Sequence, residues 1–184
     1  MTAIYLIRHA TSDGNNGGYY CGHRDVPLSA DGYEQLEGLA ARFEKTHIDR
    51  IYSSPLLRAY ETAKAVGRAQ RIDITLRYDL IELDAGDFQG RTFDEIETLY
   101  HKEFECYKND PADFCAPGGE SMAQLRERSL TAIKRLAEEN PGETVAAVSH
   151  GDFIRAYIGA ALGQPLCELK NIAYNHNTGV TLIE

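Results

Sequence analysis

Apolar residues follow two rhythms along this chain. Ala3–Ile7 is a short, almost unbroken apolar run, the pattern of a strand buried on both faces. A polar, glycine-rich loop follows from Arg8 to Gly22. The rhythm then changes to helical spacing: Tyr33, Leu36, Leu39, Ala40 and Phe43 repeat behind Ser29, which suits an N-cap. Arg50–Ser53 predicts a short strand, and Pro55 can open a helix running to about Ala69. Ile72–Leu76 predicts another strand. Met122, Leu125, Ile133 and Leu136 mark a long helix ending near Pro141, opened by Ser121 and Gln124 as a capping box. Thr144–Val148 predicts a strand, Asp152–Leu162 a helix, and Gly179–Ile183 a last strand. Strands alternating with helices predict a layered α/β fold with a mostly parallel sheet.

Composition narrows the picture. The 184 residues, 43% apolar, suit one domain with a sizeable core. A net charge of -9 repels nucleic acid and anionic lipid, so neither is an expected partner. An anionic substrate would need its cations concentrated locally. No apolar run approaches the ~20 residues of a membrane span. Met1–Ile7 runs into a strand without a basic segment or cleavage site, so the expected location is the cytoplasm. There Cys21, Cys106, Cys115 and Cys167 are expected as thiols, since their spacing matches neither a zinc nor a disulfide pattern. A Cys106–Cys115 pair is the one alternative.

In parallel α/β folds, functional groups gather beyond the carboxyl ends of strands. Arg8 and His9 follow the first strand, Ser53–Arg58 the second, and His150 the Val145–Val148 strand. Two histidines and two arginines thus meet in one crevice, in a chain with only six histidines. The set suits a phosphate dianion. Arginine offers a rigid fork of donors to phosphate oxygens. A histidine can attack phosphorus and hold it covalently. His9, His150 and Glu82 also compose a two-histidine, one-carboxylate metal set. Two adjacent arginines would repel the cation, so no metal and no cofactor are expected.

These residues fall in a recognisable order. Leu6-Ile7-Arg8-His9-Ala10-Thr11 with Asn15 resembles the nucleophile motif of the histidine phosphatase superfamily, also called phosphoglycerate mutase-like. Gly22–Ser29 with Gly32 and Gln35 is similar to the segment that follows it. Ser53–Ala59 with Thr62-Ala63 resembles the second arginine motif. Leu80-Ile81-Glu82 with Gly86 and Gly90 resembles the acid motif, Pro117–Ser121 a further element, and Val148–Gly151 with Ile154-Arg155 the second histidine motif. The resemblance covers nearly the whole chain. Within the family it is nearest to the alpha-ribazole and broad-specificity phosphatases.

The resemblance implies a three-layer α/β/α fold with a small cap at about 85–120, all within one domain, 1–184. It implies that His9 becomes a phosphohistidine, and that Arg8, Arg58 and His150 clamp the phosphoryl oxygens with Asn15 assisting. Glu82 would protonate the leaving oxygen and then activate water. Asp13, Asp84 and Asp87 are competing carboxylates. Cys21 and Gly22 lie in the presumed substrate loop, while His23, His47, His101 and His176 read as ordinary loop histidines. Ala10, Thr11 and Gln89 depart from residues common in the family, without removing a catalytic group. The implied activity is metal-independent hydrolysis of a small phosphorylated metabolite. The alternatives are a phosphoglycerate mutase, whose family members are usually longer, and a phosphate-binding module without turnover.

Segment 85–120 carries nine acidic residues against three basic ones, and six aromatics: Phe88, Phe93, Tyr100, Phe104, Tyr107 and Phe114. A helical face with its own small core accounts for most of them. Some are expected to line the cap and meet an apolar or ring-bearing leaving group. So acidic a segment should disfavour a second phosphate.

Overall fold

A computed structural model describes residues 1–68 and 70–184. Its centre is a five-stranded sheet in the order β3-β2-β4-β1-β5. The strands are β1 (Ala3–Arg8), β2 (Arg50–Ser53), β3 (Ile74–Leu76), β4 (Thr144–Ser149) and β5 (Val180–Ile183). All pairings are parallel except that of β5, which runs antiparallel on β1.

Alternation along the strands builds the two cores. Ile4 and Leu6 of β1, with Val145 and Ala147 of β4, face α6 (Met122–Glu139) and α7 (Gly151–Ala161) through Leu125, Ile133, Leu136, Phe153 and Ile154. Ile7, Ala146 and Val148 face the other way, onto Leu39 and Phe43 of α2 (Ala30–Phe43) and Ala59, Ala63 and Val66 of α3 (Leu57–Gly67). The three-layer α/β/α architecture therefore follows from period-two patterning on strands covered on both faces.

Most element boundaries agree with the sequence pattern. Ser29 caps α2 by accepting the Gly32 N–H, and Ser121 with Gln124 forms the capping box of α6. Three details differ. Tyr33 sits at helical spacing but is 50% exposed, so the buried stripe of α2 begins at Leu36. The loop after β1 contains a five-residue helix, α1 (Asp13–Gly17), opened by a Ser12–Asn15 capping box. The helix expected from Pro55 to Ala69 begins at Leu57 and ends at Gly67, and Ala69 lies outside the described residues.

Segment 85–120 holds two short helices, α4 (Phe93–Leu99) and α5 (His101–Asn109). Its entry turn depends on Gly86, at φ 47°, where an added Cβ would lie 2.1 Å from the Pro117 carbonyl oxygen. Phe88 and Phe114 are fully buried and join the core that α6 and α7 share. All four cysteines are free. Among the described residues no helix is long and apolar enough to cross a membrane.

Candidate active site

The strand register brings the chemistry together. Arg8 of β1 pairs with Ser149 of β4, so His9 and His150 leave adjacent strands at the same level. Their rings lie 5.1 Å apart. Ser53 of β2 pairs with Val148, which sets Ser54 beside His150, and Arg58 follows in the first turn of α3. Above these strand ends lies a pocket of about 500 Å³. Arg8, His9, Asn15, Cys21, Gly22, Arg58 and Glu82 all line it. Of the expected site residues only His150 does not, being completely buried against His9.

Hydrogen bonds fix the state of His9. Its Nδ1 lies 2.7 Å from the Ala10 carbonyl, which can only accept, so Nδ1 carries the proton. Nε2 is left with a free lone pair. Burial, reinforced by the charges of Arg58 and Arg8, holds the imidazole well below the usual histidine range. The imidazole is therefore neutral at neutral pH, the state a nucleophile needs. His150 is likewise kept neutral by burial and by Arg58. Its Nε2 meets Ser54 Oγ at 2.7 Å. Ser54 Oγ accepts the Leu56 N–H and can give its own hydrogen to Nε2, the arrangement in which the ring proton sits on Nδ1. That Nδ1 is buried without a partner, as is Arg8 Nε. Unpaired donors this deep are costly, and an oxyanion would satisfy both.

Both arginines are held by backbone oxygens instead of carboxylates. Arg58 donates to Gly22 O at 2.8 Å and to Arg24 O at 2.9 Å. Arg8 Nη1 donates to Asn175 O. Among the described residues neither has an acidic side chain within 4.0 Å, so their charge is not neutralised. Arg58 is 1% exposed, and burial lowers its proton affinity. Asn15 uses Oδ1 to accept from Ser12 in the capping box, which leaves its amide hydrogens for a ligand.

Glu82 sits at the start of α7. Its Oε1 accepts the N–H groups of Leu83 and Phe153, and its Oε2 accepts that of Asp152 at 3.2 Å. Burial, then the neighbouring Asp152 charge, push its carboxyl up to about 7 despite these bonds. Asp13, Asp84 and Asp87 do not line the pocket; Asp84 is engaged with Gly86 and Gln89. Among the described residues no group of three or more His, Cys, Asp or Glu is arranged to hold a metal.

Several site residues escaped the sequence reading. Ser12, Tyr19, Tyr20, Asp152 and Tyr174 also line the pocket. Asn177 donates to His9 O at 2.9 Å, so the segment before β5 packs against His9. His23 is more than a loop histidine: its Nε2 meets the Glu82 carbonyl at 2.7 Å. No local pattern marks these positions, which only the folded chain brings together. Of the six aromatics in segment 85–120, Phe93, Phe104 and Tyr107 reach the pocket, and Lys108 stands with them.

The family model of the histidine phosphatase superfamily (branch 1) matches residues 4–184. The chain belongs to that superfamily. Phosphoserine phosphatase 1 of Hydrogenobacter thermophilus is 34% identical over 166 residues, 90% of this chain and 79% of that protein. The structure of Bacillus stearothermophilus YhfR superposes with a TM-score of 0.96 at 32% identity, over 100% of this chain and 91% of that one. A mycobacterial glucosyl-3-phosphoglycerate phosphatase in complex with VO3 superposes with a TM-score of 0.89 at 28% identity, over 99% of this chain and 90% of that one. The family and the α/β/α fold expected from the motifs are thus both found.

Proposed function

We propose that this histidine phosphatase hydrolyses small phosphomonoesters through a phosphohistidine on His9. The observation that carries the reading is the pairing of a neutral histidine, its Nε2 free, with the buried Arg58 and the half-buried Arg8, neither of which has a carboxylate partner among the described residues. Phosphoryl transfer needs positioning and charge stabilisation more than covalent help, and this site supplies both.

In the first half-reaction the Nε2 lone pair attacks phosphorus as the phosphorus–oxygen ester bond breaks. Arg8, Arg58 and the His150 Nδ1–H take up charge on the phosphoryl oxygens. Asn15 adds its amide, and Cys21 and Gly22 shape the edge of the same subsite. The leaving oxygen takes its proton from Glu82. Oε1 accepts two backbone N–H bonds and Oε2 only one, so Oε2 carries that proton. In the second half-reaction the ionised Glu82 takes a proton from water, the hydroxide attacks phosphorus, and the nitrogen–phosphorus bond breaks. A carboxyl raised to about 7 can serve in both states near neutral pH.

Residues 1–184 act as one domain, with 85–120 as a cap over the site. Tyr19, Tyr20, Phe93, Phe104 and Tyr107 give the outer pocket an aromatic wall. Lys108 is its one cation, and Glu97 and Glu105 pair with it. That wall suits a leaving group with a ring or an apolar face better than a second phosphate.

The test is hydrolysis of an aryl phosphate with EDTA present and vanadate as competitor, followed by acid quenching with labelled substrate. Turnover blocked by vanadate, with an acid-labile, base-stable phosphoenzyme lost in His9→Ala, supports the reading. Binding without turnover overturns it in favour of a phosphate-binding module. Transfer of the label to phosphoglycerate faster than to water overturns it in favour of a mutase.

A further inference from the structure

One buried carboxylate at the site has no part in these steps. Asp152 lies in the first turn of α7, and its backbone N–H holds Glu82 Oε2. Three tyrosine hydroxyls converge on its side chain. Tyr20 donates to Oδ2, Tyr107 donates to Oδ2 at 3.1 Å, and Tyr174 donates to Oδ1 at 2.6 Å. The Tyr107 and Tyr174 hydroxyls also lie 2.7 Å apart. Arg155 completes the group, donating to the Tyr174 hydroxyl at 2.9 Å with Asp152 Oδ1 at 3.9 Å.

The three tyrosines come from separate parts of the chain. Tyr20 is in the first loop, Tyr107 on α5 of the cap, and Tyr174 in the segment before β5. Burial and the Asp152 charge push all three phenols up, so they stay hydrogen-bond donors across the working pH range. Tyr174 is 41% exposed, with Arg155 over its ring, while its hydroxyl closes the cluster. Polar groups from the core, the cap and the C-terminal segment thus meet at one carboxylate, which accepts and never donates.

We propose that Asp152 is a positioning residue for this reaction. On one side its charge holds a proton on Glu82; on the other its tyrosines anchor the cap over the pocket. This rests on the reading of Glu82 as the proton carrier. Two carboxylates sharing a buried site resist joint ionisation, and the Asp152 charge is, after burial, the cause that raises Glu82. Asp152 has three hydroxyls and Arg155 beside it. Glu82 has backbone N–H groups, and Arg58 is the cation that faces it. Tyr20, Tyr107 and Cys21 face Glu82 as uncharged groups. Arg128 and His23 reach only its backbone carbonyl, at 3.1 and 2.7 Å.

The experiment is the pH profile of kcat/KM for an alkyl phosphate, whose leaving alkoxide needs a proton, with Glu82→Gln as control. In the wild type the basic limb reports loss of the Glu82 proton. Asp152→Asn should move that limb down by roughly one pH unit or more, because a like charge has gone. Asp152→Ser is the second variant, uncharged but able to bond Tyr174, and should move it the same way. Tyr107→Phe keeps the carboxylate and cuts the tie from α5. It should raise KM several-fold and leave the limb in place, and it tests the cap anchor whether or not the Asp152 variants fold. A limb abolished by Glu82→Gln but unmoved in folded Asp152 variants overturns the proposal while leaving Glu82 its role. A limb that survives Glu82→Gln overturns the reading of Glu82 itself. An unchanged KM in Tyr107→Phe overturns the anchoring role.

Discussion

Replacing Arg58 by Met should separate catalysis from stability in this protein. The guanidinium is 1% exposed and donates only to the Gly22 and Arg24 carbonyls. Burying a cation without a carboxylate costs several kcal/mol, which the two hydrogen bonds only partly offset. Methionine removes that charge and orphans the two carbonyls, at about 1–3 kcal/mol each. The two effects oppose, so net stability should change by no more than about 2 kcal/mol, or roughly 4–8 °C in Tm for a domain of this size. Activity has no such compensation. A lone preorganised donor is worth about 10²–10³ in kcat, and arginines on a transferring phosphoryl group about 10³–10⁵. We therefore expect kcat/KM for an aryl phosphate to fall by about 10³-fold or more. Vanadate at a hundred times its Kd should stabilise the wild type by about 2.7 kcal/mol, and the variant by almost nothing. The assay pairs steady-state kinetics with thermal unfolding, with and without vanadate. A loss of activity under tenfold would refute the reasoning. So would a ligand-free variant that melts more than about 10 °C lower, because Arg58 would then be a structural bracket for the 22–24 loop.

The raised Glu82 carboxyl sets a pH dependence: kcat/KM should be full below about 7 and fall as pH rises through it, since the proton carrier is then ionised. Glu82→Gln should remove that limb and slow alkyl phosphates far more than nitrophenyl phosphate, whose leaving group needs no proton; equal slowing of both would count against the role. Phe93, 44% exposed at the pocket, and Phe88, buried in the core, should give opposite phenotypes. Phe93→Ala should raise KM for naphthyl phosphate several-fold with little change in the urea midpoint, while Phe88→Ala should lose about 3–5 kcal/mol of stability. Gly86→Ala puts a Cβ against the Pro117 carbonyl at a left-handed φ and should cost at least about 2 kcal/mol by urea unfolding.

Much of this molecule is legible because the constraint is local. A strand buried on both faces must be apolar throughout, so β1 and β4 announce themselves, and the groups that follow them are set by register. Caps are equally visible: Ser29 and Ser121 start helices where their side chains can take a backbone N–H. The Ser12–Asn15 box is the same chemistry, yet its sequence has the look of a loop, because five residues leave no room for an apolar stripe. Tyr33 misleads for the converse reason. Helical spacing places it beside the stripe, but the buried stripe of α2 begins one turn later, at Leu36.

The harder residues to read are those whose partners are distant. Arg8, His9, Arg58 and His150 could be inferred because each follows a strand end in its own motif. Asp152, Tyr20, Tyr107 and Tyr174 have no shared motif, and the Tyr20–Asp152 hydrogen bond alone spans 132 residues. Yet they surround the group whose protonation the chemistry depends on. The arginines and histidines make an electrostatic sink suited to a phosphate group. What such a sink does next, releasing an alcohol and then activating water, depends on a carboxyl that changes state near neutral pH. Burial alone would raise it, and Arg58 alone would lower it. The balance is struck by a second carboxylate, which the tyrosines keep in place. The phosphate subsite is therefore written in short contiguous motifs, whereas the acid's working pH is written in tertiary contacts.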